Sequence, residues 1–157
     1  MKPEFRTRRE PAAARRRAAI QVARRYRASP AHVFHAWLDP DVAGHWLFAT
    51  ASRPMARVDI DARVAGSFRF VEQRNGETVE HRGEYLEIVP HRRLAFTLAS
   101  ADHPQVVSRV CVDITELDRG CAVTLRHEDL PSRDAKRARA RWTGILYGLG
   151  ATLDARH

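Results

Sequence analysis

Residues 134–153 read DAKRARARWTGILYGLGATL. At 100° per residue Ala135, Ala138, Trp142, Ile145, Leu146, Leu149 and Leu153 fall within about 40° of one line, which predicts one long amphipathic helix. Lys136, Arg137, Arg139 and Arg141 occupy the other side and read as a solvated face. A stripe of this length has to be buried against another layer.

That layer precedes it. From residue 56 the apolar period is two in six successive stretches: ARVDIDARV, GSFRFVEQ, TVEHRGEYLEIV, RLAFTLAS, QVVSRVCVDITEL and CAVTLRHEDL. Turn signals separate them at Ala65-Gly66, Asn75-Gly76, Pro90-His91, Asp102-His103-Pro104 and Arg119-Gly120. Short connections make neighbouring strands antiparallel. Phe68 and Phe70; Leu94, Phe96 and Leu98; Val110, Val112 and Ile114; and Val123 and Leu125 form the alternating set that the helix would cover.

Further upstream, AIQVARRYRA alternates as a first strand. Ser29-Pro30 then supplies a helix cap with Pro at the first helical position. Ala31, Val33, Phe34, Trp37 and Leu38 recur at helical spacing, and DPD at 39–41 ends that helix and starts a second short one through Trp46. The expected architecture is α+β: a seven-stranded curved antiparallel sheet, two short helices, and one long C-terminal helix along the concave face. A sheet that curls around a helix without closing leaves a hollow between them.

With 157 residues and 44% apolar content, the chain has room for one ordinary globular domain. The formal charge of +8 is localised: residues 1–27 carry ten basic side chains against Glu4 and Glu10, and residues 28–157 carry seventeen of each sign. We therefore expect an Arg-rich extension over 1–19 and a domain over 20–157. No nucleic-acid binding is expected through the folded part, because such domains carry their basic excess on the folded face. The extension lacks the apolar core of a secretory signal, and no stretch approaches eighteen apolar residues. Cys111 and Cys121 read as reduced core thiols, which implies a cytoplasmic setting.

Five stretches, SPAHVFHAWLDPDVAGHW, ARVAGSFRF, HRGEYLEIVPHRRLAFT, VCVDITELDRGCAVTLRHEDL and RWTGILYGLGATL, stand in the order and spacing of a known group. Over residues 20 to 155 the chain resembles the SRPBCC (START and Bet v allergen type) superfamily. Within it, the chain is similar to homologues of the C-terminal domain of the heat-shock protein 90 ATPase activator. The resemblance implies the helix-grip fold and, as in many relatives, a cavity for small apolar molecules. It leaves the reaction open, since members include lipid carriers, cyclases and co-chaperone-like proteins.

Candidate site residues follow from the hollow. Trp46, Phe68, Phe70, Tyr85, Phe96, Leu98, Val110, His127, Trp142, Leu146 and Leu149 are expected to line it. His127 is the ionisable one, in phase with Val123 and Leu125 and able to orient or protonate a ligand. The faces of Tyr85, Glu87, Thr97 and Arg109 stay open, because a bulge near Gly83 would swap them. His32, His35 and His45 crowd one corner, yet without an HExxH pattern or a cysteine pair no metal or other cofactor is predicted. Trp37 and Trp46 read as a clamp closing the sheet's end. Gly144 and Gly148, opposite the apolar line, suggest a homodimer contact. The expected function is binding of a small apolar or aromatic molecule. The alternatives are a co-chaperone-like interaction domain and a cyclase or dehydratase using His127. No nucleophile elbow, phosphate loop or dinucleotide fingerprint appears, so no catalytic residue is assigned.

Overall fold

The computed structural model describes residues 16–48, 55–100 and 103–155. Most of the Arg-rich extension and the turn at 101–102 lie outside these residues. The chain runs β1 (Arg17–Tyr26), α1 (Pro30–Leu38), α2 (Pro40–Ala43), β2 (Arg57–Ile60), β3 (Ser67–Arg74), β4 (Glu77–Val89), β5 (Arg93–Ser100), β6 (His103–Glu116), β7 (Cys121–Pro131), a single turn at Ser132–Asp134 and α3 (Ala135–Ala155). The seven strands form one antiparallel sheet in the order β1-β7-β6-β5-β4-β3-β2. The helix-grip architecture expected from the sequence is the one observed.

Local chemistry fixes the corners. The Ser29 side chain accepts the His32 amide at 3.1 Å at the start of α1, and Asp39 accepts the Asp41 amide at 2.9 Å at the start of α2. Asn75 and Gly76 both take positive φ, 53° and 80°, as a tight two-residue hairpin requires. Cys121 pairs with Glu116 across the last hairpin, and Cys111 and Cys121 are free and buried.

Three strand-level expectations change. β1 covers Arg17–Tyr26 rather than the expected 19–28. β2 covers only Arg57–Ile60 of the expected 56–64, because the chain doubles back at Gly66. A Cβ there would lie 2.3 Å from the Asp61 carbonyl oxygen, so only glycine allows that approach. The irregularity in β4 falls between Tyr85 and Glu87 rather than at Gly83. Ahead of it Tyr85 points into the core, 4% exposed. Beyond it Glu87 turns outward and accepts from Arg93 Nε at 2.9 Å. Thr97 Oγ1 accepts the Glu84 amide at 3.0 Å, and Arg109 is exposed on the outer face opposite Glu128.

The core lies between the concave face and the helices. Trp37 and Trp46 meet edge to face at 4.7 Å, and Trp46 Nε1 donates to the Ala36 carbonyl at 3.1 Å. The corner that carries three histidines is thus a packed clamp. His35 lies 3.5 Å from Asp39, His45 is exposed, and among the described residues no group of three His, Cys, Asp or Glu side chains could hold a metal.

In α3, Trp142, Ile145, Leu146, Leu149 and Leu153 are all buried. The helix is tied to β1 by Tyr26, whose hydroxyl donates to the Leu146 carbonyl at 2.7 Å, and by Arg139, whose Nη1 donates to the Gln21 carbonyl at 2.8 Å. Tyr26→Phe should cost about 1 kcal/mol of stability in urea denaturation, the usual worth of one such bond. The two glycines do not form one outward stripe. Gly144 is open on its outer side, whereas a Cβ on Gly148 would meet the Cβ of Trp46 at 4.0 Å. The glycine argument for a dimer therefore loses one of its two members.

Candidate functional site

Between the α1–α2 corner and strands β3–β5, Trp37, Leu47, Phe48, Phe68, Phe70, Tyr85, Leu94 and Phe96 leave only about 10 Å³ between them, at most a single water's worth of space. Phe68 meets Phe96 edge to face at 5.3 Å and lies tilted against Tyr85 at 5.4 Å. Eight of the eleven expected site residues, Trp46, Phe68, Phe70, Tyr85, Phe96, Val110, Leu146 and Leu149, are buried in the core and are not among the residues around the larger cavity at the N-terminal end of α3. The large rings fill the volume that strand alternation alone leaves undetermined.

Space opens at the N-terminal end of α3. A cavity of about 400 Å³ lies there, walled on the sheet side by His81 of β4, Leu98 of β5, Val106 and Ser108 of β6, and His127, Leu130 and Pro131 of β7. Phe48 and Trp142 form its inner end, and Asp134, Arg137, Ala138 and Arg141 its helical side. Leu98, His127 and Trp142 are the three expected residues that it brings together.

Two of the others were hidden by geometry. The register between β1 and β7 shifts between Ala18/Leu130 and Ile20/His127, and Asp129 takes φ 62°. This bulge lets His127 and Leu130, three apart, both face inward. Arg137 and Arg141 correct the reading of a wholly solvated helix face, since both reach the cavity while remaining exposed. Arg137 pairs with Asp134 at 3.0 Å. His81 did carry a signal, standing in phase with Val79 and Tyr85.

The polar groups of the wall are ordered by donor and acceptor capacity. An indole nitrogen can only donate, so Trp142 Nε1, 2.9 Å from His127 Nδ1, fixes that nitrogen as an acceptor. The His127 proton is then on Nε2, which donates to Ser108 Oγ at 2.6 Å. The Ser108 hydroxyl passes its own proton to the Leu98 carbonyl at 3.3 Å. Burial first, and then the positive charge of Arg141, lower the His127 pKa to about 4, so the ring is neutral near pH 7. Both nitrogens are committed.

His81 is arranged differently. It is 3% exposed, lies flat against Phe48 at 4.7 Å and 12°, and its Nε2 is 3.2 Å from Glu72 Oε1. Glu72 is also buried, and the same Oε1 accepts from Arg74 Nη2. Burial lowers the pKa of His81; the Glu72 bond opposes this, and Arg141 and Arg74 reinforce it. A neutral ring bonded to a carboxylate keeps its proton on Nε2. Its Nδ1 is left as an acceptor with no partner among the described residues.

A family model described as "Activator of Hsp90 ATPase homolog 1-like protein" matches residues 27–154. The chain belongs to that family. Other AHSA1-like folds superpose over nearly their whole length. A crystal structure of a protein from Chromobacterium violaceum is 25% identical with a TM-score of 0.77, covering 86% of this chain and 96% of the other. A protein of unknown function from Staphylococcus aureus reaches a TM-score of 0.80 at 16% identity, covering 90% and 96%. The solution structure of an AHSA1-like protein from Aeromonas hydrophila has a TM-score of 0.76 at 20% identity, covering 88% and 94%. None of the curated proteins matches this AHSA1-like chain. Among the described residues no helix is long and apolar enough to cross a membrane.

Proposed function

We propose that this AHSA1-like protein binds one small, largely apolar molecule in the cavity beneath the first turns of α3. The observation that carries the reading is a cavity of about 400 Å³ between the N-terminal end of α3 and the sheet, within the size range of small-molecule sites, while the rings packed beneath the α1–α2 corner leave only about 10 Å³. The supporting chemistry is an apolar part of the wall, Phe48, Leu98, Val106, Leu130 and Trp142, facing a polar part made of the buried His81, Ser108 and His127 and, at the rim, Asp134, Arg137 and Arg141. Burying roughly 200 Å² of apolar ligand surface contributes about 5 kcal/mol before the costs of association, equivalent by itself to a Kd of about 0.2 mM, so the polar groups of the wall must add to it for tight binding. The free, buried cysteines are compatible with a cytoplasmic setting for this role.

Acid–base chemistry through His127 is less well supported than binding. Neither of its nitrogens can accept or release a proton without breaking the bonds to Trp142 or Ser108.

An environment-sensitive naphthalene dye should bind at one site and quench or shift the Trp142 emission. Ala138→Phe, placed on the helical wall, should fold normally and reduce that binding at least tenfold by filling the cavity. Undiminished binding by the Ala138→Phe protein would refute the location. Native mass spectrometry of the purified wild-type protein should detect an adduct of small-molecule mass.

A further inference from the structure

We propose that His81 is the specificity-determining residue of this cavity and that its Nδ1 accepts a hydrogen bond from a neutral hydroxyl, phenolic in type, on the bound molecule. The proposal rests on the cavity's being the binding site and adds the chemical class of what it takes.

The argument is one of donor and acceptor capacity. Of the two buried imidazoles on the wall, His127 has both nitrogens engaged, by Trp142 Nε1 and by Ser108 Oγ. His81 has one engaged: its Nε2 faces Glu72 at 3.2 Å, and Glu72 is fixed in turn by Arg74. Because the Glu72 carboxylate can only accept, the imidazole proton is directed away from the cavity, and Nδ1 presents a lone pair. The ring is 3% exposed and lines the cavity. Among the described residues the one fully buried side-chain nitrogen or oxygen without a partner is Trp37 Nε1, so His81 Nδ1 is reached from the cavity, where a ligand hydroxyl can donate to it in place of water. Phe48 stacks flat on the imidazole and holds its plane, so the lone pair has one direction.

Charge selects the kind of donor. Arg141, on the opposite wall, lies close enough to lower the pKa of both His81 and His127. A ligand ammonium would meet that same positive field, whereas a hydroxyl carries no charge. The apolar remainder of the wall suits an aromatic or aliphatic body attached to that hydroxyl.

The test compares 2-naphthol with 2-methylnaphthalene, equal in size and differing in one hydroxyl, by isothermal titration against the full chain. The naphthol should bind about tenfold more tightly to the wild type, the usual value of one buried hydrogen bond. The two should bind equally to His81→Phe, which keeps a ring against Phe48. Equal binding to the wild type, or a preference that survives in His81→Phe, would overturn the assignment while leaving the cavity as the site. Failure of both compounds to bind would overturn the binding site itself and the assignment with it. A measurement on the wild type alone covers the case of a variant that does not fold. In a ¹⁵N correlation spectrum, the His81 Nδ1 resonance should be that of an unprotonated nitrogen and should move on adding the naphthol but not 2-methylnaphthalene. An Nδ1 that is protonated, or that does not respond to the naphthol, overturns the proposal.

Discussion

Phe96→Ala should destabilise the protein by about 3–5 kcal/mol, while Leu98→Ala, two residues along the same strand and on the same face, should cost only about 1–2 kcal/mol. Phe96 is 3% exposed and in ring contact with Trp37, Phe68 and Tyr85. Truncation there removes an aromatic side chain from a region where only about 10 Å³ is open, and the neighbouring rings are too large to collapse into the space. Leu98 is half-buried and already has cavity on one side. Its removal forfeits transfer free energy but adds little new void, so it falls below the range for a fully packed leucine. Urea denaturation of both variants measures the difference. Equal costs would mean that the cavity wall is as tightly packed as the centre of the sheet, and the distinction on which the site rests would be lost.

The same contrast explains what the sequence could and could not reveal. Strand alternation placed Phe68, Phe70, Leu94, Phe96, Leu98, Val110, Val112, Ile114, Val123 and Leu125 on the inward face, because a side chain's face depends only on residue parity within an uninterrupted strand. It failed where parity breaks. The extra residue at Leu86 turns Glu87 outward, and the bulge at Asp129 brings Leu130 in beside His127. Neither is encoded by a glycine. Asp tolerates positive φ, and Leu86 has no local property that marks it as unpaired. Parity also says which rings face inward but not how they tilt. Ring contacts among Phe68, Phe96 and Tyr85 closed the region where the cavity was expected and left it open near Ser108 and Leu130. Arg137 and Arg141 illustrate a third limit. Helical phase placed them away from the apolar line, yet long side chains at the rim of a curved sheet reach back across its mouth.

His127 and Trp142 were legible as inward residues, but the bond between them was not, and that bond has the largest consequence for behaviour in solution. Folding lowers the His127 pKa from 6.5 to about 4. The folded state therefore favours the neutral ring. Above pH 6.5 the ring is neutral in both states and this preference costs nothing. Between pH 6.5 and 4 the unfolded chain takes up a proton that the folded chain refuses, so stability falls as pH falls; below about pH 4 both states are protonated and the loss is complete. The shift corresponds to about 3 kcal/mol lost across that window. His81, lowered in the same direction by burial, adds to the slope. Burial is the larger cause and the charge of Arg141 the second; a proton on Nδ1 would in addition face the Trp142 Nε1–H at 2.9 Å, two donors with no acceptor between them. His127→Gln, which can accept from the indole and donate to Ser108, should flatten most of the pH dependence of urea unfolding between pH 7 and 4. Trp142 fluorescence should report the loss of the bond in the wild type only. A stability profile that stays equally steep in the variant would assign the acid sensitivity to other groups and would remove the Trp142–His127–Ser108 chain as the element that keeps this end of α3 on the sheet.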